Sequence, residues 1–253
     1  MLKWLYTAYI GLIFFVLALM AAPMFFLFAT LLPKAKGVRA MIRYNNFWVD
    51  AFCFLTGNTC KVYGREKINP QQGYVFCCNH TSMADVLIVN AAIRQGYVPM
   101  GKIEAKKIPL LGFVFKQIMI FVDRSNPESR RQSLQEIMAI AKQGISVFMF
   151  AEGTRNKTGQ VPLLPFKSGA FRVAIETQMP LSPLVIINAR NLLPGERPPA
   201  RRVDMVAYFS DPIPTIGLTE DDVDMLRDKV FAIMEKMLLE NDPLYSAENF
   251  KKA

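Results

Sequence analysis

From Trp4 to Leu32 the chain carries no charged side chain, and Leu, Phe, Ala and Met dominate. A run of this length exceeds the about 20 apolar residues that cross a bilayer core. Lipid or protein must therefore cover it. Pro23 lies inside the run, so a kinked span and a re-entrant hairpin are both open. A cleaved signal peptide is the competitor. The run is longer than the roughly 7–15 residues of a signal core, and only Lys3 precedes it, so a retained membrane anchor is expected.

The flank agrees. Lys34, Lys36, Arg39 and Arg43 follow directly, where they can meet anionic headgroups or mark a cytoplasmic side. The formal charge of +9 could also suit nucleic acid, but no nucleic-acid motif is present and the basic cluster adjoins the apolar run. The expected partner is the lipid bilayer, with no nucleic acid. Cys53, Cys60, Cys77 and Cys78 have neither C-x-x-C spacing nor the density of a disulfide scaffold. With one histidine in 253 residues, a zinc site is not expected either. Reduced thiols facing the cytoplasm are the expectation.

Val38 to Leu55 mixes apolar residues with Arg39, Arg43 and Asp50. That pattern fits an interfacial amphipathic helix with Trp48 at headgroup depth, and equally an ordinary globular helix. Gly57-Asn58 ends it. From Thr59 short apolar runs alternate with helical patterns, the signature of an α/β fold. The expected strands are Cys60–Tyr63, Tyr74–Cys78, Tyr97–Met100, Met119–Val122, Val147–Phe150, Leu184–Ile187 and Asp204–Phe209. Pro127 to Gln143 reads as a helix with Leu134, Ile137, Met138 and Ala141 inward and Gly144 as terminator. Thr219 to Leu239 reads as another, capped by Thr219, with Val223, Leu226, Val230, Ile233 and Met237 at helical spacing. Pro194–Pro199 reads as a loop. The chain divides into an anchor with its interfacial helix, 1–58, and a catalytic domain, 59–253.

Any imidazole chemistry has one source, His80 in the run Asn79-His80-Thr81-Ser82-Met83-Ala84-Asp85. A lone histidine is more often a core or surface residue. On a continuous helix, positions five apart point about 140° away from each other, so His80 and Asp85 cannot pair in mid-helix. They can pair if His80 lies in the turn after the strand ending at Cys78 and Asp85 in the first turn of a helix capped by Thr81 or Ser82. That is the carboxyl end of a strand, where α/β sheets place their sites. An aspartate holding one ring nitrogen leaves the other free to take a hydroxyl proton.

A protein nucleophile is harder to find. No G-x-S-x-G elbow occurs. Cys77 or Cys78 with His80 would make a thioesterase-like pair, but neighbours on a strand face opposite sides and buried structural cysteine is the commoner reading. Asp123-Arg124 and Glu152-Gly153-Thr154-Arg155 each put an arginine just beyond an apolar strand, and guanidinium suits phosphate. Leu164 to Gly169 would start a helix whose N-terminus and Lys167 add positive potential.

In order along the chain stand Asn79-His80-x4-Asp85, Ile120-Phe121-Val122-Asp123-Arg124, Phe150-Ala151-Glu152-Gly153-Thr154-Arg155 and Pro180-Leu181-Ser182-Pro183-Leu184. With Pro165-Phe166-Lys167-Ser168-Gly169 between the last two, they resemble the four motifs of the 1-acyl-sn-glycerol-3-phosphate acyltransferase family over about residues 60–210. The resemblance implies a mixed sheet flanked by helices, glycerolipid acyltransferase-like, behind an N-terminal hydrophobic membrane-anchoring helical segment. It implies transfer of a fatty acyl group from acyl-CoA or acyl-carrier protein to the sn-2 hydroxyl of lysophosphatidic acid, giving phosphatidic acid for phospholipid biosynthesis. His80 would be the base and Asp85 its partner. Arg124, the block Glu152, Gly153, Thr154 and Arg155, and Lys102 in Gly101-Lys102-Ile103-Glu104 would bind the glycerol phosphate. No metal or redox cofactor is implied, and the expected location is a bacterial inner membrane with the catalytic domain on the cytoplasmic side. Two positions depart from the family pattern: Ala151 replaces a frequent proline, and Ile118 or Met119 replaces a glycine. The alternatives are a sister enzyme acylating a lysophospholipid, glycerol-3-phosphate or an amino-acid lysolipid, a Cys–His thioesterase or hydrolase, and a non-catalytic lipid-binding protein.

Overall fold

The computed structural model describes residues 1–31, 34–108 and 111–245. Leu32, at the end of the charge-free run, and the expected headgroup-facing side chains of Lys34, Lys36 and Arg39 lie outside what is described.

The apolar run forms one helix, α1 (Leu2–Leu31), with Pro23 inside it, and the following segment forms α2 (Lys34–Thr56). The two are antiparallel. The Tyr6 hydroxyl donates to the Thr56 carbonyl at 3.1 Å and that of Tyr9 to the Leu55 carbonyl at 2.7 Å, while Phe25 meets Tyr44 at 5.7 Å. Trp48 is half-buried between the two helices. It stacks on Phe52 at 5.7 Å and takes the edge contact of Phe14 at 5.4 Å, because an indole between two phenyl rings buries more apolar surface than one left outside. The inner face of α2, with Val49, Phe52 and Cys53, belongs to the catalytic core, and Asp50 pairs with both terminal nitrogens of Arg94 at 2.7 and 3.0 Å. Helix α1 is apolar on every side and is largely exposed, as are Phe47 and Phe54 of α2. A helix hydrophobic all round is expected in a core or in lipid.

Seven strands make one sheet: β1 (Thr59–Tyr63), β2 (Val75–Cys78), β3 (Tyr97–Lys102), β4 (Ile120–Val122), β5 (Ser146–Phe150), β6 (Leu181–Ile187) and β7 (Asp204–Phe209). Their order is β1-β7-β6-β2-β5-β3-β4, with every neighbouring pair parallel except β6–β7. The sheet is therefore mixed, and the carboxyl ends of β6, β2, β5, β3 and β4 gather along one edge. Strand β6 begins three residues earlier than the sequence pattern suggests, through Pro183. The proline has no N–H to give to the ladder, but its carbonyl accepts from the Ser210 N–H at 3.1 Å.

Helices α3 (Asp85–Ala92) and α2 cover one face, and α5 (Pro127–Ala141), α6 (Gly169–Thr177) and α7 (Val223–Asn241) cover the other. A short helix α4 (Leu111–Ile118), which the hydrophobic pattern did not announce, precedes β4. Asn126 caps α5 by accepting from Glu128 and Ser129. Thr219 closes a capping box with Asp222, but around a short 3-10 turn, so the α-helix proper starts at Val223. Its buried line is Val223, Leu226, Val230, Met234 and Leu238, with Ile233 and Met237 only partly covered. The Cys53 and Cys60 sulfurs lie 3.4 Å apart, joining the end of α2 to β1, as free thiols.

Central strand β2 is buried along its whole length. Where it stops, Asn79 extends its pairing with β6 by side chain: Nδ2 donates to the Ile186 carbonyl at 3.0 Å and Oδ1 accepts from the Ile186 N–H at 2.7 Å. Asn79→Ala leaves both backbone groups buried without that partner and should destabilise the fold by about 2–4 kcal/mol. Unfolding in detergent measures this directly; an unchanged midpoint would mean that the amide bridge contributes nothing.

Candidate active site

The turn after β2 places His80 at the gathered carboxyl ends. Its Nδ1 donates to Asp85 Oδ2 at 2.8 Å. Asp85 is wholly buried, and its carboxylate also accepts from the Thr81 and Ser82 backbone N–H groups, at 2.6 and 3.0 Å, and from the Thr81 hydroxyl at 3.0 Å. The helix starts at Asp85, later than a Thr81 or Ser82 cap would give, because the Thr81 hydroxyl serves the carboxylate instead. The aspartate thus fixes the turn and the imidazole together, and with Nδ1 as the donor the tautomer leaves Nε2 as an acceptor. The His80 ring stacks on Phe150 of β5 with centroids 3.7 Å apart and planes 11° from parallel. Among the described residues no protein group bonds Nε2. The exposed edge of the ring can therefore meet a substrate.

Glu152 sits under this turn. Although it was expected with the phosphate-binding block, its carboxylate is buried and occupied: Oε1 accepts from the His80 N–H at 2.7 Å and Oε2 from the Leu164 N–H at 2.9 Å. Its position is that of a brace between the His80 turn and the segment leading to α6. Burial pushes its pKa up to about 7, against the two N–H donors that lower it. The Asn156 N–H adds a bond to the His80 carbonyl at 2.7 Å.

The cationic residues lie on the flank formed by β3, β4 and β5. Arg124 is half-buried beyond β4; burial lowers its pKa, with Glu104 opposing and Arg155 adding to the effect. Arg155 is paired with Glu196, which Lys157 also approaches at 3.5 Å. Lys102 reaches Glu104 at 2.6 Å in an exposed pair. Gly153 takes a positive φ of 65°, and a Cβ there would lie 3.1 Å from the Lys167 side chain, so the turn into Arg155 requires glycine. Thr154 is exposed. The structure thus brings His80, Asp85 and Glu152 into one bonded unit; Arg155 adjoins it through Asn156 and interacts with Arg124, which faces Glu104, the partner of Lys102.

Three residues in the site were not read from the sequence: Phe150, Glu196 and Arg190. Phe150 opened the third motif block but was given no role, and Glu196 lay in a Pro-rich segment with no local signal. Arg190 follows β6 and donates to the Tyr245 hydroxyl at 3.2 Å. Cys77 and Cys78 are fully buried in opposite layers of the core, and burial raises both thiols far out of the range in which a thiolate forms. That removes the basis for a Cys–His nucleophile. A hollow of about 390 Å³ lined by Ile103, Lys106, Phe121 and Ser129 shares no residue with the His80 turn.

A family model described as Acyltransferase matches residues 59–187, just over half of the chain, including His80, Asp85, Lys102, Arg124 and the Glu152–Arg155 block. The chain belongs to the acyltransferase family. Among its relatives, the 1-acyl-sn-glycerol-3-phosphate acyltransferase of Cocos nucifera is 30% identical over 200 residues, 76% of this chain and 62% of that protein. The Homo sapiens 1-acyl-sn-glycerol-3-phosphate acyltransferase alpha is 31% identical over 179 residues, 70% of this chain and 62% of that protein. The chain thus spans a little under two thirds of the length of these relatives. A crystal structure of the 1-acyl-sn-glycerophosphate (LPA) acyltransferase from Thermotoga maritima superimposes with a TM-score of 0.78 at 21% identity, covering 93% of this chain and 94% of that one. This acyltransferase-family chain therefore shares that fold through its helical hairpin as well as its sheet.

The raised pKa of Glu152 has a definite sign in stability. Folded, the carboxyl holds its proton up to about pH 7; unfolded, it releases it near its ordinary 4.5. Between those values the unfolded chain binds fewer protons, so rising pH destabilises the fold until it levels off above about pH 7. Glu152→Gln lacks this titration and can accept only one of the two backbone N–H groups. The stability advantage of wild type over the variant should therefore shrink as pH rises from about 4.5 to about 7. Melting both proteins across that range checks it, and a constant difference contradicts the assignment.

Proposed function

We propose that this protein transfers a fatty acyl group from acyl-CoA or acyl-carrier protein to the sn-2 hydroxyl of lysophosphatidic acid, forming phosphatidic acid. The observation that carries the proposal is the His80 Nδ1–Asp85 bond of 2.8 Å, with no described protein group bonded to the other ring nitrogen and arginines following the neighbouring strands. The names of the relatives supply the acceptor. In this reading the lysolipid phosphate engages Arg124 and Arg155, with Lys102 and the Gly153–Thr154 turn beside them. His80 Nε2 takes the hydroxyl proton as the oxygen attacks the thioester carbonyl. The tetrahedral intermediate collapses, the C–S bond breaks, and His80 returns the proton to the leaving thiolate. Asp85 stabilises the imidazolium between these steps. Glu152 positions His80 without touching substrate. No step needs a metal or redox cofactor.

The exposed apolar surface of α1 supports membrane residence, since a patch of this extent is seldom left in water. The antiparallel hairpin brings the chain's first turns back beside the end of α2, next to the catalytic domain. This supports insertion from one face of the membrane, and the reading we adopt puts the catalytic domain on the cytoplasmic side of a bacterial inner membrane.

His80→Ala should lower turnover by about 10²–10⁴-fold while leaving vesicle association unchanged. Near-normal turnover of the purified variant would end the proposed mechanism. Arg155→Ala should raise the lysolipid KM by about tenfold with a smaller change in kcat; an unchanged KM would remove Arg155 from phosphate binding. Offering a panel of lysolipids with acyl-CoA and identifying products by mass decides between lysophosphatidic acid and another acceptor.

A further inference from the structure

A transfer between two phosphate-bearing substrates poses an electrostatic problem at one base. The acceptor's phosphate and the donor's phosphates repel each other, and a single cationic cluster would bring them together at the cost of that repulsion. The sheet offers a way round it. Strand β2, which ends at His80, has β5 on one side and β6 on the other. Lys102, Arg124 and Arg155 come from the β5, β3 and β4 side. On the β6 side Arg190 emerges from the short turn Ala189–Asn191.

There, a cleft of about 140 Å³ opens between the Thr81–Ser82 turn, Arg190 and Asn191, and the loop carrying Gly195 and Glu196, with Lys157 at its rim. Arg190 is fixed: its guanidinium donates to the Tyr245 hydroxyl at 3.2 Å and lies 5.8 Å from the centre of that ring. Lys157 is mostly exposed and reaches only the outer oxygen of Glu196, at 3.5 Å. The other oxygen of Glu196 holds Arg155. This carboxylate therefore stands between the two cationic groups, bonded to a member of each. Gly195, in the wall of the cleft, takes a φ of 63°. Thr81 and Ser82, on the wall, are the residues immediately after His80.

We propose that this cleft binds the phosphate groups of the acyl donor, with Lys157 and Arg190 as its cations. The assignment rests on the acyltransferase reading. The ligand chemistry is the phosphate ester of a pantetheine thioester, which acyl-CoA and acyl-carrier protein share. A phosphate held here leaves a flexible arm to carry the thioester to the edge of His80, while the acceptor's phosphate engages Arg124 and Arg155 across the Glu196 carboxylate, whose negative charge stands between the two phosphates. Guanidinium and ammonium groups suit this task, the first by its planar fork and the second as a mobile point charge.

Lys157→Glu is the primary test because the side chain is exposed and its loss should not disturb folding; Arg190→Gln is the second. Each is assayed with acyl-CoA, with acyl-carrier protein and with a phosphate-free acyl-N-acetylcysteamine thioester. Lys157→Glu should raise the KM for a phosphate-bearing donor by about tenfold, with the lysolipid KM changed by less than about twofold. The preference for phosphate-bearing over phosphate-free donor should fall by the same factor. A rise confined to acyl-CoA assigns the cleft to the nucleotide phosphates, and a rise in both arms assigns it to the pantetheine phosphate. An unchanged donor KM, an equal loss with the phosphate-free donor, or a rise in the lysolipid KM instead would overturn the proposal. Calorimetric titration of the full-length protein with free coenzyme A separates this from catalysis. Binding weakened by Lys157→Glu supports the cleft even if the acyltransferase reading failed for want of turnover. Binding by wild type that Lys157→Glu leaves unchanged would overturn the cleft even if turnover is normal, as would absence of binding together with unchanged kinetics in the carrier-protein arm.

Discussion

A buried carboxylate governs the architecture of this site. Asp85 is removed from water, and an ionised group in that position is tolerated only when its oxygens are fully engaged. It gathers two backbone N–H groups, a hydroxyl and an imidazole, all from the three residues His80 to Ser82. Satisfying one charge therefore determines the path of the turn, the start of α3 and the face of the ring turned outward. The asparagine before the histidine does the complementary work, continuing the ladder between β2 and β6 past the end of the strand.

A second carboxylate joins this turn to the remainder of the domain. Glu152 leaves β5, holds the His80 N–H with one oxygen and the Leu164 N–H with the other. The Lys167 N–H, in the same segment, bonds back to the Ala151 carbonyl at 2.8 Å. The stretch before α6 and the turn carrying the imidazole are thus one mechanical piece. The Phe150 ring against His80 comes from the residue two before Glu152, so a single strand end supplies both the brace and the platform.

Much of this was legible in the sequence, for reasons that can be named. A five-residue spacing that fails on a helix succeeds across a strand-to-helix turn, and the apolar run ending at Cys78 announced the strand. The parallel core strands are short apolar runs between helical stripes and were found to within a few residues, except where Pro183 concealed the first residues of β6. Helix α4, which runs directly into β4, was not separated from the apolar run of that strand. Long-range partnerships were invisible. Nothing local in Pro194–Pro199 says that Glu196 will meet Arg155, forty-one residues away in the chain. Nor does the sequence say that Cys53 and Cys60 will face each other or that Trp48 will close against Phe14. The role expected for Glu152 was drawn from its neighbours in the motif, whereas burial gives it a different set of partners.

The apolar surface of α1 carries a consequence for how such a molecule meets its substrates. A protein confined to a lipid surface samples its acceptor in two dimensions, so the quantity that sets acceptor occupancy is a mole fraction among lipids and not a concentration in the surrounding water. Diluting the suspension leaves that occupancy alone, whereas adding inert lipid lowers it. In the proposed reaction the donor, arriving from water, would obey ordinary solution concentration. On that proposal the helix would place the two substrates under different laws of supply.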